Sequence, residues 1–321
     1  MKKFLVCDGG GTKTDFLVFN EEAEVLGYCQ KSGANANFIS KITAINNVLE
    51  GISECILKAN LSIKEIESIT LFIPGFDECK EELKSRLKVN NITCFGDIDN
   101  AFYGALGTSK GIVALSGTGS FAVGISSNDE KISTGGWGPL IGDRGSGYHI
   151  GILLLEKIVD FYDRDIKLGY LRDLCFSELG VNNEIEMRDE IYKQDFTREK
   201  VASLCKVVAK AASNSDKYAL EILREAAKEL VRLVAYVNER LGKDQLKVSL
   251  IGGVSKIGKG FIDIFKEELE YQCSNLTYSQ PMYDPLIGAM LCVLKNELNI
   301  NIESNVIRNN LKKYKGGYIK C

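Results

Sequence analysis

A run of three glycines separates two apolar stretches near the N-terminus, and no other feature of the chain is as restrictive. Phe4-Leu5-Val6-Cys7 reads as a buried strand, and Asp15-Phe16-Leu17-Val18-Phe19 as a second. Between them lies Asp8-Gly9-Gly10-Gly11-Thr12-Lys13-Thr14. A turn at Asn20-Glu21-Glu22 then leads to a third strand near Glu24–Tyr28. The glycine turn therefore joins two strands of a meander and does not open a helix. That context excludes a P-loop and the dinucleotide fingerprint, both of which need a strand-to-helix turn. Adjacent glycines remove every Cβ that would block a bulky anion, and they let backbone N–H groups converge on it. Thr12 and Thr14 add hydroxyl donors and Lys13 a positive charge. Asp8 would repel a bare phosphate, but it makes sense facing a phosphate-bound Mg²⁺. A tight hairpin that is glycine-rich for geometry alone accounts for the same residues.

The remainder alternates strands with helices, the pattern of an α/β domain with a mixed sheet. Ser32-Gly33-Ala34-Asn35-Ala36-Asn37 is a polar turn cluster. Ile39 to Leu57 places Ile42, Ile45, Val48, Leu49, Ile52, Cys55 and Ile56 at helical spacing. Strands are expected at Ile69–Ile73 and Ile92–Phe95, with a charged helix from Glu78 to Val89. Asp97 is placed to cap a helix that buries Ala101, Gly104 and Ala105. A second round follows: the strand Ile112–Leu115, the turn Ser116-Gly117-Thr118-Gly119-Ser120, and the strand Phe121–Ile125. This repeat of strand, anion-competent turn and strand indicates an internal duplication. The loop from Thr134 to Gly147 is glycine-rich and holds the only tryptophan, Trp137. A helix is expected from Tyr148 to Asp163, and 165–242 is almost wholly helical. The longest piece, Ser215 to Leu241, lines up Leu220, Leu223, Ala227, Leu230, Leu233 and Val234. The strand Leu246–Ile251 precedes a third glycine turn, Gly252-Gly253-Val254-Ser255-Lys256, and a helix spans Gly260–Gln272. Asp284-Pro285 opens the last clear helix. The Lys-rich tail from Ile300 reads as a solvated helix.

Composition narrows the function. A chain of 321 residues suggests two domains, and a net charge of −3 without a basic stripe excludes nucleic acid as a partner. The ten cysteines form no CxxC pair and read as small core residues of a protein in a reducing cytoplasm. The single His149 excludes a multi-histidine metal site. The apolar run after Met1-Lys2-Lys3 ends at Asp8, too short for a signal peptide, and no run reaches membrane-spanning length, so no membrane role is expected.

In order, the motifs DGGGTKT, a strand-end aspartate, SGTGS, GGWG…GDxGS and a Gly-Gly turn before Ser255-Lys256 resemble the sugar kinase/actin/Hsp70 superfamily. They are most similar to its N-acetylglucosamine kinase branch, which shares a sequence family with the BadF/BadG/BcrA/BcrD ATPases. The resemblance covers about residues 4 to 295. It implies two ribonuclease H-like (actin-like ATPase) domains, each a mixed sheet flanked by helices, with the active site in the interdomain cleft. The expected domains are 1–111 and 112–285, the latter with a helical insertion at 165–242; a C-terminal helix, 286–321, is expected to pack back on the first. The implied activity is ATP-dependent phosphorylation of a hydroxyl, O6, of N-acetylglucosamine or a close relative. Gly9, Gly10, Gly11, Thr12, Lys13 and Thr14 match the first phosphate loop, with Asp8 toward Mg²⁺. Ser116, Gly117, Thr118 and Gly119 match the second, and Gly252, Gly253 and Ser255 lie against the adenosine of ATP. Asn35, Gly136, Trp137 and Asp143 match positions that hold the amino sugar. The base that takes the hydroxyl proton is Asp97 or Asp99. Asp97 is preferred because it directly follows the strand and its spacing to SGTGS fits the family; Asp99 sits in the more similar string of small residues.

Arg144 departs from the family, which usually has Glu after the aspartate of GDxGS. A guanidinium pairs bidentately with carboxylates, so Arg144 points to a sugar with its own carboxylate, N-acetylmuramic acid. An Arg bonded to loop carbonyls is the simpler alternative. Asn35 as a turn former, Trp137 as a core residue and Asp143 bonded to its own loop are likewise open. The family suggests a homodimer. Two other functions remain: a BadF/BcrA-type ATPase that activates a partner enzyme, and a non-catalytic sugar sensor. The first needs closely spaced cysteines for an iron–sulfur cluster, an arrangement the chain lacks. The Cys-rich zinc motif of ROK sugar kinases is likewise not found.

Overall fold

The computed structural model describes residues 1–314 except Thr12, Phe38, Leu168, Lys243 and Asp244; the side chains of Asp97 and Lys259 are also outside the described residues. The chain forms two compact units, one of residues 1–109 with the segment from Pro281 onward, the other Lys110–Gln280.

The first unit begins with the meander β1 (Lys3–Gly9), β2 (Lys13–Asn20) and β3 (Val25–Ser32). After α1 (Lys41–Lys58) come β4 (Ile66–Phe72), α2 (Lys80–Leu87), β5 (Ile92–Phe95) and α3 (Asp97–Leu106). The sheet order is β3-β2-β1-β4-β5, antiparallel within the meander and parallel from β1 outward. β1 is central and covered on both faces, which is why its apolar run does not alternate. Leu5, Cys7, Phe16 and Val18 face α1, while Phe4, Val6, Leu17 and Phe19 face the C-terminal segment.

α1 starts two residues later than its pattern suggested, because Ser40 caps it by accepting the Thr43 N–H. Its inner face is built on Ala44, Ile45, Val48, Gly51 and Ile52, and Ile42 is exposed. Gly51 is needed there, since a Cβ would stand 2.2 Å from the Phe16 ring. The cap expected of Asp97 falls on a side chain outside the described residues; Gly96 is the N-cap residue and Asp97 opens the helix.

The second unit repeats the plan. β6 (Gly111–Ser116), β7 (Ser120–Ile125) and β8 (Lys131–Gly135) form its meander. The helices α4 (Gly147–Asp163), α5 (Tyr170–Leu179), α6 (Glu184–Ile191), α7 (Arg198–Ser203), α8 (Cys205–Ser213) and α9 (Lys217–Arg240) follow. β9 (Lys247–Ile251), α10 (Lys259–Gln272) and β10 (Thr277–Tyr278) complete it. The order β8-β7-β6-β9-β10 matches that of the first sheet, strand for strand. The duplication expected from the two turns is therefore a duplication of topology. On α9 the buried stripe is Ala219, Ile222, Leu223, Ala226, Ala227, Leu230, Val231, Val234 and Val237. Leu220 lies one position off that 3.6-residue stripe and is exposed, contrary to the expected face.

The chain returns to the first unit with α11 (Pro285–Cys292), capped by Asp284 through the Ile287 N–H, and a π-helical turn Val293–Glu297. α12 (Asn305–Leu311) is not a solvated helix: Ile307 and Leu311 are buried with Phe4, Leu17 and Phe19, and the Tyr314 hydroxyl accepts the Val25 N–H at 3.2 Å. The apolar positions of the tail are spaced among polar and basic residues. Eight of the nine described cysteines are buried. No described helix is long and apolar enough to cross a membrane.

α11 and α3 meet at a glycine crossing. A Cβ on Gly288 would stand 2.0 Å from the Asn100 carbonyl oxygen and 2.5 Å from the Gly104 nitrogen. Gly288→Ala must therefore push α3 off α11, at a cost of about 1–3 kcal/mol. The expected outcome is a lowered thermal midpoint of the full chain; an unchanged midpoint would contradict this packing.

Candidate active site

In the first unit, β1 and β2 pair through Gly9 and Thr14, and the Gly10 N–H donates to the Lys13 carbonyl at 3.0 Å. The Gly10 carbonyl, which would repel an anion, accepts the N–H groups of Ala34 and Asn35 at 3.1 and 3.2 Å. The chain after β3 thus braces the turn from behind, so closely that a Cβ on Gly33 would stand 2.1 Å from the Gly11 carbonyl oxygen. Thr12 lies outside the described residues. Thr14 is fully buried and its hydroxyl has no hydrogen-bond partner among the described residues, so it is not presented at the tip. Lys13 is exposed, with its ammonium 2.8 Å from Asp15. Asp15 also accepts from the Tyr28 hydroxyl at 2.8 Å and Gln30 at 2.6 Å. Burial, with Asp15 beside it, holds the Tyr28 hydroxyl well above its usual range.

Asp8 stands directly across from Asp15 in the β1–β2 register, on the face covered by α3 and α11. Like charges directly opposite on a sheet repel, and each is offset by its own donors. Asp8 accepts from Asn100, fully buried on α3, whose amide reaches Oδ1 at 2.7 Å. Helical spacing puts position 97 one turn before Asn100, on the same face. Asp99 is half-buried and lies toward α11: burial and the Asp99 carboxylate together push the Cys292 thiol up to about 12. Asn35 is buried, and its side-chain oxygen accepts the Asn37 N–H at 2.9 Å, as a turn former would.

The second unit's turn is fastened in the same manner. The Gly117 N–H donates to the Gly119 carbonyl at 2.9 Å, and the Gly117 carbonyl accepts the Gly147 N–H at 2.8 Å. The buried Ser116 hydroxyl donates to the Gly145 carbonyl at 2.7 Å and the Ser120 hydroxyl to the Arg144 carbonyl at 2.6 Å. The Gly136 N–H donates to the Ser120 carbonyl at 2.9 Å. The loop 134–147 is thereby sewn to the turn. Gly252, with φ +100°, lies against Ser116, where a Cβ would stand 2.4 Å from its carbonyl oxygen. The Ser255 hydroxyl is engaged by the Gly252 carbonyl at 2.8 Å. A cavity of about 340 Å³ opens among Gly117, Thr118, Ala202, Lys206 and Gly253. Trp137 is not a core residue: it is 73% exposed, beside the exposed Leu140 and Ile141.

Asp143 is 3% exposed and sits at φ +55°, a backbone conformation that costs a non-glycine residue energy. Its carboxylate accepts the Ser120 N–H at 3.1 Å and pairs with Arg198. Arg144 is exposed, with Nη1 3.2 Å from His149 Nε2, while the Gly145 N–H meets His149 Nδ1 at 3.0 Å. Burial, then the charges of Arg144 and Arg232, lower the His149 pKa from 6.5 to about 4.

Asn100, Arg198 and the Asp15 cluster were not singled out from sequence. Their partners are remote along the chain; only the Asp97-Ile98-Asp99-Asn100 string hinted at Asn100. His149 stays neutral in the folded protein while the unfolded chain takes up a proton below pH 6.5, so its contribution to stability is lost as pH falls from 6.5 toward 4. The thermal midpoint of the wild type is expected to drop more steeply between pH 7 and 5 than that of His149→Gln. Parallel curves would contradict a buried neutral imidazole.

Comparison with known proteins agrees with this arrangement. The N-acetylmuramic acid/N-acetylglucosamine kinase of Clostridium acetobutylicum is 29% identical over 299 residues, covering 91% of this chain and 98% of its own. The N-acetyl-D-glucosamine kinase of Dictyostelium discoideum is 27% identical over 315 residues, covering 92% and 98%. A solved structure of a candidate N-acetylglucosamine kinase from Chromobacterium violaceum, at 20% identity, superposes with a TM-score of 0.71 over 91% of this chain and 99% of that one, a likeness of fold. The family model of the BadF/BadG/BcrA/BcrD ATPases matches residues 7–293, and the chain belongs to that family.

Proposed function

We propose that the chain is an ATP-dependent amino-sugar kinase that phosphorylates O6 of N-acetylglucosamine or N-acetylmuramic acid. The observation that carries this is the paired device: each unit holds a glycine hairpin whose first tip carbonyl is engaged from behind by a backbone N–H, at Gly10 and at Gly117. Both full-length relatives named above are amino-sugar kinases. Phosphoryl transfer asks chiefly for positioning and charge stabilisation, and backbone N–H turns supply both.

Residue by residue, Gly9, Gly10, Gly11, Thr12 and Lys13 form the first phosphate turn, and Ser116, Gly117, Thr118 and Gly119 the second. Thr14 supports its turn from within. Gly252, Gly253 and Ser255 take the adenosine beside the 340 Å³ cavity. Asn35, Gly136, Trp137, Asp143 and Arg144 take the sugar. Among the described residues no cluster of three His, Cys, Asp or Glu could cage a metal. A magnesium ion carried on nucleotide phosphates needs only one or two protein carboxylates, and Asp8, oriented by Asn100, fits that requirement. Such an ion neutralises phosphate charge. Position 97 shares a helix face with Asn100, which supports Asp97 over Asp99 as the base. The enzyme is further proposed to act in the cytoplasm, as its buried cysteines, none in a disulfide among the described residues, favour, and as a homodimer, as the family resemblance suggests.

Arg144 supports the carboxylate-bearing sugar. A neutral imidazole has a single acceptor nitrogen, yet His149 faces two donors, the Gly145 N–H and the Arg144 guanidinium. With Gly145 satisfied at Nδ1, Arg144 faces an N–H and gains by turning to a carboxylate. A coupled assay of ADP release over glucose, glucosamine, N-acetylglucosamine and N-acetylmuramic acid tests the whole proposal. Sugar-stimulated turnover is expected with the two N-acetylated sugars; none with any sugar would favour a partner-activating ATPase or a sensor. Asp97→Asn is expected to lower kcat about 10²–10⁴-fold, and a loss confined to Asp99→Asn would reverse the assignment. Arg144→Glu should lower the preference for N-acetylmuramic acid roughly 10–150-fold, the worth of one charged hydrogen bond. An unchanged preference would remove Arg144 from specificity.

A further inference from the structure

The second glycine turn and the Asp143 carboxylate are joined by Arg198, the first residue of α7 in the helical insertion. Its Nη2 donates to Asp143 Oδ2, while Oδ1 accepts the Ser120 N–H. Gly119 lies directly against this pair: a Cβ there would stand 2.7 Å from both Arg198 Nη2 and Asp143 Oδ1. The guanidinium is thus in contact with the backbone of the turn. Two further observations are at odds with a purely structural ion pair. A guanidinium that only anchors a carboxylate commonly does so by two parallel bonds; here, among the described residues, a single bond is made and the buried Nε has no hydrogen-bond partner. An unmet buried donor destabilises the fold. The side chain also keeps 34% of its surface exposed, although the carboxylate it holds is 3% exposed. Farther along α7, Ala202 and Ser203 wall the cavity that Gly117, Thr118 and Gly253 also line. A polyphosphate running from that cavity along Gly117 to Gly119 comes alongside the guanidinium.

We propose that Arg198 is the cation that stabilises the transferring phosphoryl group, with Asp143 as the carboxylate that aims it; this rests on the kinase function proposed above. In the step, the sugar hydroxyl oxygen forms its bond to the γ-phosphorus and loses its proton to the catalytic carboxylate. The bond from that phosphorus to the β–γ bridging oxygen breaks, and ADP leaves with the bonding pair. Charge spreads over the transferring group's oxygens, where a preorganised guanidinium acts most strongly. Arg198 also cancels the charge that Asp143 would otherwise present to a phosphate.

The test uses the full chain with magnesium, ATP and the amino sugar. Arg198→Gln is expected to lower kcat about 10²–10³-fold, with the sugar KM changed less than about threefold. Arg198→Lys, which keeps a positive partner for Asp143 and guards against misfolding, should fall between the two. Added guanidinium ion, below denaturing concentration, should restore part of the Arg198→Gln turnover. Independently of any sugar, the preference for ADP–aluminium fluoride over ADP should fall in Arg198→Gln by a factor similar to that in kcat. A retained kcat with a raised sugar KM would overturn the proposal and leave Arg198 as a brace for Asp143; an unchanged fluoroaluminate preference would do the same. A wild type without sugar-dependent turnover would strike the kinase function alone, and the fluoroaluminate comparison would still decide Arg198.

Discussion

Both halves of this protein depend on one arrangement: a peptide carbonyl at the tip of a glycine hairpin is drawn back by a backbone N–H from the segment that follows the meander. In the first unit the donors are Ala34 and Asn35, in the second Gly147. Successive peptide N–H groups of a turn can form a concavity for an anion, and a carbonyl drawn away from it no longer opposes the anion's charge. The glycines serve this close approach as much as they serve flexibility. Gly33 and Gly252 have almost no room for a side chain, because the backbone of the first turn and of Ser116 respectively occupies the space.

The same segments carry the residues assigned to the sugar. Asn35 follows β3 and donates its N–H to the turn, while Asp143 follows β8 and accepts the Ser120 N–H. The residues proposed for sugar and for phosphate therefore share one hydrogen-bonded frame in each unit. In the first unit the link is backbone to backbone, and in the second it passes through the buried Asp143 carboxylate. The positive φ of Asp143 belongs here too, for strain of that kind persists only where surrounding bonds overdetermine the conformation.

What could be read in advance, and what could not, follows from how far each interaction reaches. Hairpin turns are local, so Gly9–Gly11 and Gly117–Gly119 announced themselves, and their repetition announced the matching sheets. The helices of the insertion were legible from their 3.6-residue stripes, although the stripe on α9 was placed one position off at Leu220. Asn100 and Arg198 were missed because their partners lie 92 and 55 residues away, and neither residue type is unusual at a helix start. The C-terminal segment was expected to pack back on the first domain, and only the solvated character given to its tail was misjudged, for a different reason. Two buried residues, Ile307 and Leu311, are enough to dock a short helix, and surrounding lysines conceal so sparse a pattern. Thr14 shows the converse: its motif suggested a ligand donor, but strand alternation turned it inward.

Hydrogen exchange of the full chain, measured with and without magnesium and a non-hydrolysable ATP analogue, tests the shared role of the two hairpins most directly. Slowed exchange is predicted within 9–14 and within 116–120 together, because in the proposed function both turns give N–H groups not already bonded inside the hairpin to the nucleotide's phosphates. Protection confined to one turn, or found at neither, would contradict it.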